Sequence, residues 1–492
     1  MKYFGFLTLV IFSFISAHSQ TEKLKVESTV SKDAIKGHIY FLADDLLKGR
    51  STGTPEAEIA ASYLANTMRS YGVKPIPSSG SYLQQVILEK TSPPKRLDFI
   101  IDGKSYDNKV VIQASKIDYK GDAIYLNYGL EPDYKGKDVR DKLVFIKGGS
   151  PDAKDARGAF RLRSSKMELA KKAGALGIIE LLNTKNDMWG FIDHNFNSDR
   201  LSVPSDEMKI KESPFVYLWL QDENEVYTEG LQEKKKISVS LQMDDKNRTE
   251  IVSQNVIGTV EGTDPKLKNE YIIYSAHYDH VGIGTPDENG DTIYNGARDN
   301  AVGSTTVLSM AQNLAKYPTK RSALFILFTG EEKGLLGSQY YVEHPVLPLN
   351  QMVYCFNSDN AGYNDTSIAT IVGLERTTAS SHIKNSAKAF GLTAIDDPAP
   401  EQGLFDRSDN VHFAKKGIPA PTYSLGFRSF DGDVTKYYHR PSDEADTLDY
   451  DYLLKFFSSY VLAGRLIAND LITPVWVVGD KYEPAGKELY KN

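Results

Sequence analysis

"SALFILFTGEEKGLLGS", residues 322–338, sets an apolar run from Ala323 to Phe328 against two adjacent carboxylates, Glu331 and Glu332. A short apolar run closed by a glycine reads as a buried strand. Successive side chains leave a strand on opposite faces and leave a helix about 100° apart. Two neighbouring glutamates therefore cannot address one metal ion in the same way. They suit two jobs: one ligates, and the other works a metal-bound water as general base and later returns the proton to a leaving group. Taken alone, a Glu-Glu-Lys at a helix start is an ordinary solvated end favoured by the helix dipole, so the surrounding chain must carry the argument.

From residue 251 onward, apolar runs alternate with helical patterns, the signature of a doubly wound α/β sheet. The strand candidates are "NVIGTVEG" (255–262), "EYIIYSAH" (270–277), "SALFILFTG" (322–330), "QMVYCFNSD" (351–359) and "TSIATIVG" (366–373). Helices are expected near 300–316, 335–344, 379–390, 410–416 and 450–468. Metal-competent side chains recur at the ends of these strands: His277 and Asp279 in "YIIYSAHYDHVG", Glu331 and Glu332, and Asp359 in "MVYCFNSDNAGY". In an open α/β sheet the carboxyl ends of the strands line the ligand crevice. The loop "NGARDNAVGST" adds Asp299, and "KYYHRPSDEADT" adds His439. Mixed imidazole and carboxylate ligands suit zinc better than calcium or magnesium, which take oxygen shells. Asp279 lies two residues after His277, on the same strand face, where it is placed to accept the imidazole N–H. His280, His344, His382 and His412 read as surface or satisfied histidines.

The remaining sequence bounds the organisation. With 492 residues the chain is long for one domain. Two helices are expected before residue 73: one in "SKDAIKGHIYFLADDLLKGR", and one in "TPEAEIAASYLANTMRSYG" with Thr54 as N-cap, Pro55 first and Gly72 as stop. Between about 81 and 250 the texture turns to short strands around one helix ending near Ala173-Gly174. The expected division is therefore 1–19 signal peptide, 20–110 first catalytic part, 111–250 insert, 251–470 catalytic domain and 471–492 tail, a strand plus a surface wrap. "MKYFGFLTLVIFSFISAHSQ" has the basic start, apolar stretch and small residues of a secretory signal, and its apolar stretch falls short of a bilayer span. This predicts a secreted or periplasmic protein with no stable membrane insertion after cleavage. The formal charge of −7 and the dispersal of the 58 basic residues exclude nucleic acid as the expected partner. Cys355 is the sole cysteine, so no intrachain disulfide is possible.

At "SAHYDHVG", "GARDNAVGS", "FTGEEKGLLGS", "NSDNAG" and "YYHRPSDEADT" the chain resembles the zinc-dependent exopeptidase family of bacterial leucyl aminopeptidases, glutamate carboxypeptidase II and the plasma glutamate carboxypeptidases. The resemblance implies a three-layer α/β fold, a sheet with helices on both faces, and two zinc ions per chain. His277 and Asp359 would hold one, Glu332 and His439 the other, with Asp299 bridging, Glu331 as general base and Asp279 orienting. Tyr438 is similar to a tyrosine that hydrogen-bonds the tetrahedral intermediate in some members. "DKLVFIKGG" and "ELAKKAGALGIIELLN" resemble the mostly-β protease-associated domain that some members insert. Many members carry S-D-H-x-x-F near the substrate pocket; here the stretch is "RSDNVHFAKKG", with Asn410 in the histidine's place. Arg407, Ser408 and Asp409 remain candidates for contacting the substrate terminus. The implied activity is hydrolysis of the terminal bond of a peptide, as an aminopeptidase. Alternatives are a dipeptide carboxypeptidase, a single-zinc glutaminyl cyclase, and a receptor-like module without activity, which would have lost ligands.

Overall fold

The computed structural model describes residues 20–204, 215–234 and 236–491. The expected signal peptide lies outside the described residues. The chain divides into two units, one assembled from the segments ending at Ile87 and beginning at Val252, the other spanning Leu88–Ile251.

In the first unit α1 (Lys32–Leu42) and α2 (Pro55–Ser70) precede the sheet, and the Thr54 hydroxyl caps α2 by accepting from Ala57 N. The strands are β1 (Asn247–Val260, of which the part from Val252 belongs to this unit), β2 (Tyr271–His277), β3 (Ser322–Phe328), β4 (Met352–Ser358), β5 (Ile368–Val372), β6 (Thr393–Asp396) and β7 (Thr422–Leu425). Their order across the sheet is β6-β5-β7-β4-β2-β3-β1. The helices between and after them are α3 (Gly303–Lys316), α4 (Leu336–Glu343), α5 (Ser380–Ala389), α6 (Asn410–Lys415) and α7 (Tyr450–Asn469).

Strand β3 shows why both sheet faces are covered. Its alternate residues Ala323, Phe325 and Leu327 join a core with side chains of α1, α2, α3 and α7, while Leu324, Ile326 and Phe328 join a second core with Tyr341 of α4 and Phe413 of α6. A strand apolar on both faces is stable only between two helical layers. The three-layer α/β fold is therefore present. β2 pairs in parallel with both β3 and β4, with His277 opposite Phe328 and Ser275 opposite Asn357, so the carboxyl ends of the three strands finish together.

The second unit is built on a sheet of short strands with a helix at Ala156–Ala173, stopped by Gly174 in the left-handed conformation. It starts earlier than the expected residue 111. Leu97–Ile101 pairs antiparallel with Ile237–Met243, and Lys104–Ser105 pairs with Leu97–Ile101, which ties this stretch to the insert. The tail also differs from expectation. Its strand reduces to one bridge between Thr377 and Trp476, and Glu483–Leu489 is a helix, because Trp476 is used to fill the second core of the first unit.

A candidate metal centre at the strand ends

His277, Glu331, Glu332 and Asp359 stand where strands stop, and Asp299 and His439 come from loops. His277 ends β2, Asp359 follows β4, and Glu331 and Glu332 follow β3 after a turn in which Gly330 takes φ +71°. Asp299 lies in the tight turn Ala297–Val302 that leads into α3, and its carboxylate backs onto a buried frame in which Asp443 accepts from the N–H groups of Arg298 and Asp299. His439 sits on a loop at φ +52°.

The side chains converge in two groups that share Asp299. His277 Nε2 lies 3.3 Å from Asp299 Oδ1 and 3.2 Å from Asp359 Oδ1. His439 Nε2 lies 3.2 Å from Asp299 Oδ2 and 3.1 Å from Glu332 Oε2. Asp299 thus turns one oxygen to each group. Donor atoms about 2.0–2.2 Å from a tetrahedral zinc are roughly 3.3–3.6 Å apart. The observed spacings of 3.1–3.3 Å lie close to that, and four carboxylates, one buried and three partly buried, crowded with imidazoles are a donor set that a divalent cation completes. The residues present fit zinc.

Two expectations about this shell change. The His277 Nδ1 hydrogen bond goes to the main-chain carbonyl of Asp279 at 3.1 Å, while the Asp279 carboxylate lies 3.7 Å away. A carbonyl only accepts, so Nδ1 carries its proton and Nε2 is left to face Asp299 and Asp359. The Asp279 carboxylate instead accepts from Glu331 N at 3.2 Å and from Thr52 Oγ1 at 2.7 Å. It anchors the residue after the β3 turn more than the imidazole. His280 is not a surface histidine: it is fully buried, and its Nδ1 lies 2.7 Å from Glu332 Oε1. The one signal for it in the sequence is its position in "HYDHVG", three residues after His277, and that spacing alone does not tell a ligand-facing ring from a core one.

The two adjacent glutamates are electrostatic opposites. Burial raises the pKa of Glu331 well above the carboxylate range, and although His277 opposes this, Asp359, Glu332 and Asp409 add to it. No described residue donates a hydrogen bond to its carboxylate. Glu332 is also buried and faces Asp299, yet the hydrogen bonds of His280 and His439 hold it at about 2. Burial opposes the charged form of His439, but its bonds to Asp299 and Glu332 lift it to about 10.

A cleft opens over this centre, walled by Val372, Leu404, Phe427 and Phe430 and edged by Arg407 and Tyr438. Tyr438 stacks on His439 at 4.1 Å between ring centroids and accepts from Arg407 Nη2 at 3.3 Å. Of the three candidates for the substrate terminus, only Arg407 lines the cleft. Ser408 accepts from Asn357 Nδ2 at 2.8 Å, and Asp409 is 1 % exposed at the start of α6, where burial raises it to about 7. Both turn inward because α6 begins there. Asn410 is buried as well and donates to Ala420 O at 3.0 Å.

Residues 255–462 match the model of peptidase family M28. Aminopeptidase YwaD of Bacillus subtilis (strain 168) is 26 % identical over 348 residues, covering 68 % of this chain and 66 % of that protein. The probable leucine aminopeptidase 2 of Aspergillus oryzae is 27 % identical over 371 residues, covering 71 % and 67 %. The chain thus spans about two thirds of the length of these relatives. An aminopeptidase from Aneurinibacillus sp. strain AM-1 superposes with a TM-score of 0.57 at 20 % identity over 92 % of this chain and 98 % of that one, a likeness of fold.

Proposed function

We propose, from the membership of residues 255–462 in peptidase family M28, that the protein is a zinc metallo-exopeptidase, an aminopeptidase that hydrolyses the terminal bond of peptides. The observation that carries this reading is the shared carboxylate: Asp299 divides its oxygens between a His277–Asp359 group and a Glu332–His439 group, with the Glu331 carboxylate beside His277 and Asp359. Two zinc ions per chain follow from that division. Held there, zinc supplies Lewis acidity that polarises the scissile carbonyl and makes water easier to deprotonate.

The chain's own residues do the rest. Glu331, with its raised pKa and free carboxylate, takes a proton from the attacking water and delivers it to the leaving amine. Asp279 holds Glu331 in place through its N–H, and the His280 bond to one oxygen of Glu332 leaves the other for ligation. The Tyr438 hydroxyl at the cleft edge is placed to donate to the developing oxyanion. Among the described residues Arg407 has no ion-pair partner, and it faces the cleft. A carboxylate on the substrate would suit it, which keeps a dipeptide carboxypeptidase as the second reading. The insert is taken as a protease-associated domain, and residues 1–19 as an export signal to the periplasm or medium; no described helix is long and apolar enough to cross a membrane.

The deciding experiment is Glu331→Gln in zinc-replete protein. Turnover of amino-acyl substrates should fall about 10²–10⁴-fold with zinc content unchanged; activity near wild type would overturn the assignment. Amino-acyl against N-acyl-dipeptide substrates separates the two exopeptidase readings, and one zinc per chain would favour a cyclase.

A further inference from the structure

The segment "LLKGRST", residues 46–52, lies outside the stretch that carries the metal ligands, yet it ends inside the site. Arg50 is 1 % exposed. Its guanidinium donates from Nε to Tyr278 O at 2.8 Å, from Nη1 to Asn295 O at 2.6 Å and to Leu42 O, and from Nη2 to Gly296 O at 3.1 Å. In return the Arg50 carbonyl accepts from His280 N at 3.3 Å. All four acceptors are main-chain carbonyls. Tyr278 lies between His277 and Asp279, and Asn295 and Gly296 open the turn that holds Asp299.

The arrangement is expensive for a residue of the fold alone. A buried guanidinium ordinarily takes a carboxylate partner, but no described carboxylate oxygen comes within 4 Å of Arg50. The charges that act on it from further off are Asp279, Asp299, Asp443 and Glu332, the ligand shell and its supports. Its backbone is left-handed at φ +49°, as are Lys48 and Gly49. A Cβ on Gly49 would come 2.4 Å from Tyr294 O and 2.7 Å from Gly282 O, so this turn is pressed against the Gly282–Tyr294 pair that lies between the two loops in sequence. Strained backbone of this kind persists where the surroundings over-determine it, and it gathers at functional sites.

We propose that Arg50 is a positioning residue of the catalytic site: its planar fork locks the carbonyls of the 277–280 and 295–299 loops into one register, and its charge stands behind the acidic ligand set. A lysine cannot replace it, because a single ammonium cannot reach four carbonyls in a fixed plane. The proposal rests on the zinc peptidase reading for its kinetic consequence, and its metal-binding consequence is independent of that reading.

The test uses the full chain as wild type, Arg50→Lys, Arg50→Met and Arg50→Ala, with circular dichroism to establish folding. Zinc affinity is measured by competition with a chelator, and kcat and KM on an amino-acyl anilide. Folded Arg50→Lys and Arg50→Met should lose zinc affinity about 10–100-fold, the range for partners that orient metal ligands. When saturated with zinc, their kcat should fall by a similar factor with KM within about threefold. Added methylguanidine should restore part of the zinc affinity of Arg50→Ala. Wild-type zinc affinity in the folded variants overturns the proposal, as does failure of every variant to fold, since Arg50 would then serve the fold alone. An inactive wild type with an intact zinc effect would instead overturn the peptidase reading.

Discussion

The insert buries one glutamate completely and the metal centre crowds two at the floor of a cleft, and the two are solved in opposite ways. In the insert, Glu180 accepts from Gly149 N at 3.2 Å, Tyr217 Oη at 2.5 Å, Trp219 Nε1 at 2.7 Å and the Lys166 ammonium, itself fully buried. Every lone pair has a donor and the charge has a counter-charge, so the cluster is closed. In the catalytic unit, Asp299, Glu331, Glu332 and Asp359 face one another and three imidazoles, and each imidazole must be neutral to ligate. With neutral imidazoles that cluster carries surplus negative charge, which a divalent cation would balance. A buried acid with its own cation is architecture; a buried set of acids without one is a binding site.

The comparison can be broken from either side. Replacing Lys166 with Met leaves Glu180 buried and unpaired, which should cost about 3–5 kcal/mol; urea titration of the insert should report it, with zinc content unchanged. Glu332→Gln should act chiefly on the metal-dependent part of stability. In chelator the melting temperature should fall modestly, because the bonds of His280 and His439 to the charged carboxylate weaken, and the gain in melting temperature on adding zinc should largely disappear. A zinc-induced gain equal to that of the wild type would mean that Glu332 is a structural acid like Glu180. His280→Ala, which removes the ring that holds one oxygen of Glu332, should weaken zinc binding about 10–100-fold, read by chelator competition.

The smallest effect concerns a third kind of buried polar group. His38 lies between the hydroxyls of Tyr63 and Tyr71, at 2.7 Å and 2.8 Å, and burial pulls its pKa down to about 4. The unfolded chain binds a proton near pH 6.5 that the folded protein refuses until about pH 4, so stability is full above pH 6.5 and falls as the pH drops through that window. The loss should be about 1–2 kcal/mol after allowance for partial exposure, and it should be absent from the difference curve of a His38→Gln variant.

Much of the site was legible because strand ends announce themselves. An apolar run with no polar face can only be an interior strand, so the first His, Asp or Glu beyond it stands at the crevice; His277, Glu331, Glu332 and Asp359 follow that rule. β6, "TAID", and β7, "TYSL", were missed because four residues of mixed polarity carry no periodicity. The insert boundary was set too late because Leu97–Ile101 finds its partner more than 130 residues away, at Ile237–Met243. Ser408 and Asp409 were placed at the substrate because adjacency to Arg407 in sequence does not fix direction once a helix begins.

What the sequence determined by itself is the inventory and its order: a two-sided sheet, mixed nitrogen and oxygen donors at its strand ends, and two glutamates that must part ways. These follow from local period and residue type. What only the tertiary structure decided is the company each group keeps. Glu331 rises because burial, with carboxylates around it, disfavours its charge, and Glu332 falls in spite of burial because it accepts from two imidazoles. Asp279 serves Glu331, His280 serves Glu332, and Arg50 reaches across more than two hundred residues of chain to the carbonyls of Tyr278, Asn295 and Gly296. Charge interacts through space and not along the chain, so no reading of neighbours in sequence could have supplied those partners.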